Sequence, residues 1–370
     1  MHCCYRMDIK NMKMEIEIVS ELAAWYEDNQ RKLPWREDTE PYHVWLSEIM
    51  LQQTRVEAVK GYYRRFLEEL PTIADLANAS DEKLMKLWEG LGYYSRVRNL
   101  KKAAITVMED YGGKFPGEYK NILNLSGIGD YTASAIGSIC YNLPTPAVDG
   151  NVLRVYSRVM EDASNIDNQS TKRAVREALM DAYAQLEPLG KCGQATQSLM
   201  ELGACVCVPN GAPKCEICPI SHMCQAYKHG TQSDYPVRNK KKERKIQEKT
   251  VFICKCEDRY AIRKRGEKGL LKGMWEFPNV DGLLEAGTAA KELEKLGAIP
   301  AEITMDKKYT HIFTHVEWRM VAYYFECQKM NDDFRWVSLS EMEQEVAIPS
   351  AFAPFVREAF ENEDTKNHNV

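Results

Sequence analysis

Apolar residues recur at three- and four-residue spacing through Ile18, Leu22 and Trp25, and again through Val56, Val59, Tyr63 and Phe66. That spacing lays an apolar stripe along one face of a helix. Similar stretches run from residue 16 to about 229, separated by breakers such as Gly112-Gly113, Leu143-Pro144 and Pro209-Asn210-Gly211. From about 230 the texture changes. The run Arg238-Asn239-Lys240-Lys241-Lys242-Glu243-Arg244-Lys245 is charged and without periodicity, and reads as a solvated tether able to touch phosphates. Beyond it, Thr250-Val251-Phe252-Ile253-Cys254, Tyr260-Ala261-Ile262, His311-Ile312-Phe313 and Met320-Val321-Ala322-Tyr323-Tyr324-Phe325 are short β-branched and aromatic runs that predict strands. One helical segment, Ala289 to Leu296, lies among them, and no internal repeat is visible. The pattern predicts a multidomain chain. Its parts are an N-terminal extension with little order over 1–15, an all-α domain over 16–229, a basic linker over 230–248 and a smaller α+β domain over 249–365.

A chain of 370 residues is long for one ordinary domain, in keeping with this division. Its 44% hydrophobic and 28% charged content is that of a globular protein, and no apolar run is long enough to cross a bilayer. The first fifteen residues lack the apolar stretch of a secretion signal, so the expected compartment is the cytoplasm; Met7, Met12 and Met14 leave the start open. Twelve cysteines in such a chain argue against a disulfide framework. The net charge of −5 gives no global basic field, so any nucleic-acid surface must be local.

Four cysteines crowd into one segment. Cys207, Cys215, Cys218 and Cys224 are spaced C-x7-C-x2-C-x5-C, with Pro213 and Pro219 in the turns. Thiolates bind soft metals, so the run suggests zinc or an iron–sulfur cluster. A zinc ribbon more often separates two C-x2-C pairs by a longer spacer, and the compact run favours the cluster. Upstream, Leu125-Ser126-Gly127-Ile128-Gly129 lies between two helical patterns, Tyr119–Leu123 and Tyr131–Ile139. Gly127 and Gly129 permit a tight turn whose N–H groups can meet a phosphate. Val148-Asp149-Gly150-Asn151 follows, and such a loop can project its acid into a cleft; a lone turn aspartate is otherwise usually a helix cap.

Hairpin, aspartate and cysteine run together resemble the helix-hairpin-helix DNA glycosylases that carry a [4Fe-4S] cluster. Leu33-Pro34-Trp35-Arg36, Glu48-Ile49-Met50-Leu51-Gln52-Gln53-Thr54 and Leu91-Gly92-Tyr93-Tyr94-Ser95-Arg96 narrow the resemblance to the MutY-type adenine glycosylases, over nearly the whole chain. Two positions depart from the family pattern: the first intercysteine gap is seven where six is usual, and Ser126 replaces a commoner proline.

The resemblance implies removal of adenine opposite 8-oxoguanine or guanine in double-stranded DNA, by a monomer associated with the nucleoid when engaged. Breaking an N-glycosidic bond requires protonating the leaving base and stabilising an oxocarbenium-like sugar. Glu48, among Trp45, Leu46, Ile49 and Leu51, should be desolvated and protonated near neutrality, and would be the general acid. Asp149 would stay ionised and face the cation, with Asn151 orienting water and carboxylate. Tyr131 stands where bifunctional relatives place a lysine; a phenol forms no Schiff base, which implies base removal without efficient strand cleavage. Arg31, Trp35 and Gln197 would line the base pocket, with Arg36 nearby, once adenine has left the stack. Gln53 and Thr54, and Leu91, Gly92 and Tyr93, would meet the DNA, with Gln53, Leu91 and Tyr93 entering the duplex; by periodicity alone Leu91 and Tyr93 read as core. Gly127 and Gly129 would meet the backbone.

The small domain looks like a Nudix fold without its chemistry. The hydrolase motif R-E-x-x-E-E-x-G, counted back from Gly297, falls on Ala290, Lys291, Glu294 and Lys295, and one acid survives. The family uses this domain to inspect the oxidised guanine, and Phe313-Thr314-His315 matches its recognition loop, with Thr314 in a place often held by serine. Two other readings compete: an endonuclease III-like pyrimidine glycosylase and lyase, disfavoured by Tyr131 and the second domain, and a non-catalytic iron–sulfur damage sensor, disfavoured by the paired carboxylates Glu48 and Asp149.

Overall fold

The structure is a computed structural model that describes residues 9–240, 243–266 and 268–367. Lys241 and Lys242 of the expected linker, and residues 1–8 of the expected extension, lie outside the described residues. The helices run α1 (Ile9–Asn29), α2 (Pro41–Leu51), α3 (Val56–Glu69), α4 (Ile73–Asn78), α5 (Asp81–Leu87), α6 (Ser95–Asp110), α7 (Tyr119–Leu123), α8 (Asp130–Tyr141), α9 (Gly150–Met160), α10 (Gln169–Leu186), α11 (Cys192–Cys205) and α12 (Gln225–His229). Seven strands and α13 (Ala286–Lys295), α14 (Leu339–Gln344) and α15 (Ala353–Asn367) follow. No described helix is long and apolar enough to cross a membrane. Helix α1 starts at Ile9, inside the span 1–15 expected to have little order.

The chain divides into two compact units, one of Met1–Asn78 with Arg98–Lys240, the other of Ala79–Val97 with Lys241–Val370. Sequence texture places 79–97 with the helical domain; its contacts place it with the C-terminal sheet.

In the first unit, Ile18, Val19 and Leu22 of α1 join Val152, Val155 and Val159 of α9, Leu179 and Tyr183 of α10, and Leu199 and Leu202 of α11 in one core. Helix α2 opens on Pro41, whose missing N–H costs nothing in a first turn. It is buried almost all round, from Tyr42 through Met50, so it threads the core and carries Glu48 inside. The hairpin joins α7 to α8. Gly127 has a φ of +78°, and a Cβ there would fall 2.6 Å from the Cβ of Asn99 on α6. The two glycines differ: Gly129 is extended at φ −103° with open space around it, and serves as N-cap of α8.

In the second unit, β1 (Lys245–Cys256), β2 (Arg259–Lys264), β3 (Trp275–Glu276), β5 (Pro300–Ile312) and β6 (Val316–Cys327) are ordered β3-β2-β1-β6-β5, with β4 (Asn279–Asp281) on β1 and β7 (Arg335–Ser338) on β2. The central pair β1 and β6 is parallel, from Lys245 opposite Val316 to Lys255 opposite Glu326. Alternation sorts the side chains by face. Val251, Ile253, Trp318, Met320 and Tyr324 pack with Phe352 and with Phe355 of α15. Phe252, Cys254, Val321 and Phe325 pack with Ala289 and Leu293 of α13. Strand β1 begins at Lys245, inside the span expected as linker.

Candidate active site

Ten of the expected site residues line one cavity of about 340 Å³ in the first unit: Arg31, Trp35, Arg36, Glu48, Gln53, Thr54, Tyr131, Asp149, Asn151 and Gln197. They arrive from separate elements. The loop after α1 brings Arg31, Trp35 and Arg36, helix α2 brings Glu48, and the first turn of α8 brings Tyr131. Asp149 and Asn151 open α9, and Gln197 comes from α11.

Glu48 is 7% exposed, and Tyr131 donates its phenol to Glu48 Oε2 at 2.7 Å. Burial pushes the Glu48 carboxyl up and the charge of Asp149 adds to it; the Tyr131 hydrogen bond and Arg36 pull down, and the balance is about 7. Burial holds the Tyr131 phenol well above its ordinary value, so it remains a neutral donor.

Asp149 caps α9. Its Oδ1 accepts from the N–H groups of Asn151 at 2.9 Å and Val152 at 2.8 Å, and its Oδ2 from the Asn151 side-chain amide at 2.7 Å. Burial raises this carboxyl above the ordinary range, while those three donors favour the anion. Asn151 is fixed in turn by Arg154, whose Nη2 donates to Asn151 Oδ1 at 2.8 Å and to the Gly203 carbonyl at 2.7 Å. Arg154 Nε reaches the carbonyl of Cys207 at 2.8 Å, so one guanidinium ties the carboxylate's support to the cysteine loop.

Glu201 on α11 escaped the sequence reading. It lies four residues after Gln197, fully buried, and binds Arg31 Nε at 2.7 Å and Arg36 Nη2 at 2.8 Å. Burial alone would raise its pKa, but the two arginines hold it at about 2. The available signal was a single acid inside the apolar run Leu199-Met200-Glu201-Leu202-Gly203. Tyr26 was also missed; it donates to Gln197 Oε1 at 2.9 Å, while the Arg36 guanidinium lies 5.3 Å from its ring centre.

Cys207, Cys215, Cys218 and Cys224 line a second, smaller cavity walled by Val155, Val159, Leu202, Val206 and Ile220. Arg158 Nη1 donates to Cys207 Sγ at 3.3 Å and Gln232 Nε2 to Cys215 Sγ at 3.8 Å. Among the described residues no three His, Cys, Asp or Glu side chains converge as they would on a single metal ion.

The remaining expected residues lie elsewhere. Gly127 and Gly129 form the hairpin, and Gly129 borders a separate cleft with Lys172, Arg173 and Arg176 of α10. Leu91, Gly92, Tyr93, Phe313, Thr314 and His315 belong to the second unit. There Leu91 is buried, as periodicity suggests, while Tyr93 is 42% exposed and left-handed at φ 48°. Phe313, Thr314 and His315 turn the chain between β5 and β6; Phe313 packs edge-on against Trp318 at 5.0 Å, and Thr314 and His315 are exposed. The hydroxyls of Tyr93 and Thr314 are hydrogen-bonded.

A family described as HhH-GPD superfamily base excision DNA repair protein matches residues 46–185, and a NUDIX domain matches residues 250–358. The chain is 35% identical over 355 residues to an adenine DNA glycosylase of Arabidopsis thaliana, with 80% of this chain and 55% of that protein covered. It therefore spans little more than half the length of that relative. It is 34% identical over 301 residues to an adenine DNA glycosylase of Buchnera aphidicola subsp. Schizaphis graminum, covering 81% of this chain and 83% of the relative. Among solved structures, a thermostable thymine-DNA glycosylase is similar with a TM-score of 0.52 at 29% identity, over 60% of this chain and 100% of that one.

Proposed function

The chain belongs to the adenine DNA glycosylases, hydrolases of N-glycosyl bonds within the HhH-GPD base-excision repair superfamily, and from that membership we propose that it excises adenine mispaired with 8-oxoguanine or guanine in double-stranded DNA and leaves the strand uncut. The observation that carries the reading is one cavity onto which Glu48 and Asp149 both open, with the Tyr131 phenol on Glu48.

A carboxyl with a pKa of about 7 is half protonated at neutrality, which suits a general acid. Tyr131 occupies Oε2, leaving Oε1 to carry the proton toward adenine N7. As adenine departs, positive charge grows on the sugar, and Asp149, held by its three donors, offers the opposing anion. Glu48, now ionised, takes a proton from the water that Asn151 helps orient. Arg31, Trp35, Arg36 and Gln197 hold the extruded base, the first and third pinned by Glu201. No lysine stands at position 131 to capture the opened sugar. Phe313, Thr314 and His315 read the oxidised guanine, Gln53, Thr54, Leu91, Gly92 and Tyr93 meet the duplex, and the Gly127–Gly129 turn meets its backbone.

Cys207, Cys215, Cys218 and Cys224 hold a [4Fe-4S] cluster in this reading. Each iron of such a cluster takes one thiolate, so its four ligands must surround a volume, and the four cysteines line one cavity. The cluster would supply cross-linking of the 207–224 loop.

Incubation with a duplex carrying adenine opposite 8-oxoguanine, followed by strand analysis with and without alkali, tests the activity. Breakage only after alkali is expected. Breakage without alkali would mean that base removal is coupled to strand cleavage. With no breakage in either case, a second duplex carrying an oxidised pyrimidine separates a lyase of the endonuclease III kind, which cuts it, from a non-catalytic sensor, which does not.

A further inference from the structure

The segment Ala79–Val97 clusters with the C-terminal sheet, and two of its side chains bind the backbone that follows α14. Lys86, in the last turn of α5, donates its ammonium to the carbonyls of Met342 at 2.9 Å and Val346 at 3.3 Å, and to Glu89 Oε2 at 2.5 Å. Glu89 Oε1 accepts from the N–H of Ile348 at 2.7 Å. The ion pair thus grips the backbone that leaves α14 from both sides, satisfying two carbonyls and one amide.

Both ends of this grip are stiff. On the near side, Trp88 Nε1 donates to the Gly92 carbonyl at 3.1 Å, and Arg96 Nη2 to the carbonyls of Leu91 and Gly92 at 3.0 Å each. The loop from Gly90 to Tyr93 carries its left-handed residues, Gly90, Gly92 and Tyr93, within that frame. On the far side, Met342, Val346 and Ile348 are buried in the core that contains Trp318, against which Phe313 packs. A path of contacts therefore runs from Tyr93 through the ion pair to Phe313, and closes at the tip through the hydrogen bond between Tyr93 and Thr314.

We propose that Lys86 and Glu89 are positioning residues for lesion discrimination: their clamp holds the 91–93 loop and the 313–315 turn as one reading head, so that the loop entering the duplex and the turn inspecting the guanine arrive in fixed register. The inference rests on the lesion-reading role given above to residues 313–315. Neither side chain touches the adenine cavity, so the clamp acts on preference rather than on bond breaking.

The test uses the full chain and single-turnover excision of adenine opposite 8-oxoguanine and opposite guanine, for Lys86→Met, Glu89→Ala, Lys86→Arg and Thr314→Ala, each with its thermal melting. Lys86→Met and Glu89→Ala are expected to lower the ratio of the two rates by about tenfold, the scale of one charge-assisted hydrogen bond. The larger loss falls on the 8-oxoguanine duplex, and Lys86→Arg keeps most of the preference. An unchanged ratio in both folded variants, with a lowered one in Thr314→Ala, overturns the clamp alone. If Thr314→Ala also leaves the ratio unchanged, the lesion-reading role falls and the clamp with it.

Discussion

The Cβ that Gly203 lacks would stand 2.6 Å from the Cβ of Asn151. Helices α9 and α11 approach this closely where α9 presents Asn151 to Asp149, and the buried Gly203 carbonyl accepts from Arg154. Alanine in a helix interior ordinarily stabilises by about 1 kcal/mol over glycine. Gly203→Ala is expected to do the reverse, lowering the melting temperature and slowing excision more than it weakens duplex binding. A stabilised, fully active variant would show that the two helices can separate without disturbing Asn151.

Glu48→Gln is expected to abolish excision with duplex affinity retained, as measured by single-turnover rates and binding to the same duplex. In the parent the single-turnover rate should fall as pH rises through about 7, since the acid must enter protonated. Stability follows the same sign. The folded value lies above the ordinary 4.5, so the contribution is whole below about 4.5 and is lost as pH rises through about 7. The loss is on the order of 3 kcal/mol by pH 9, and Glu48→Gln should flatten that part of the stability profile.

Tyr131→Phe removes the hydrogen bond that lowers the Glu48 pKa. The alkaline limb of the rate profile should therefore move upward in pH. A limb that stays in place would mean that the phenol does not act on Glu48.

Glu201→Ala leaves Arg31 and Arg36 facing each other without their shared anion, and should cost about 3 kcal/mol of stability in denaturant titration. Glu201 in the parent is held at about 2, so its contribution is present above about 4.5 and lost as pH falls toward 2. Acid unfolding of the variant should lack that step.

The purified protein should be brown, with iron and inorganic sulfide in equal amounts, and Cys218→Ser should lose both colour and melting temperature. A colourless parent that takes up no iron and sulfide on reconstitution would remove the cluster assignment.

Much of the site could be read without coordinates because its signals are local. Glu48 announces itself by Trp45, Leu46, Ile49 and Leu51 around it, and the cysteines by their crowding. Glu201 does not, because the arginines that justify its burial lie 165 and 170 residues away, and no periodicity reports such a pairing. Strand β5 is legible only at its end, His311-Ile312, since from Glu302 to Lys308 every residue but Met305 is exposed and the stretch shows no alternation. Segment 79–97 reads as one more helix-rich stretch, and its attachment to the sheet depends on backbone atoms of Met342, Val346 and Ile348, which carry no sequence signature. Asp149 reads from its place in a turn as a cap or a cleft acid; the burial that opposes its ionisation comes from packing around α9, which sequence does not report.

The distance along the chain between Lys86 and its partners has a consequence for biosynthesis. Met342 and Val346 follow Lys86 by 256 and 260 residues, so a nascent chain on the ribosome exposes the 91–93 loop long before its anchor is made. The helices around the cavity of Glu48 and Asp149 emerge first, whereas the loop must wait for the last tenth of translation. If the clamp acts as proposed, a chain released early, by a premature stop codon or a protease, would keep Glu48 and Asp149 and lose its discrimination between a damaged partner base and an intact one.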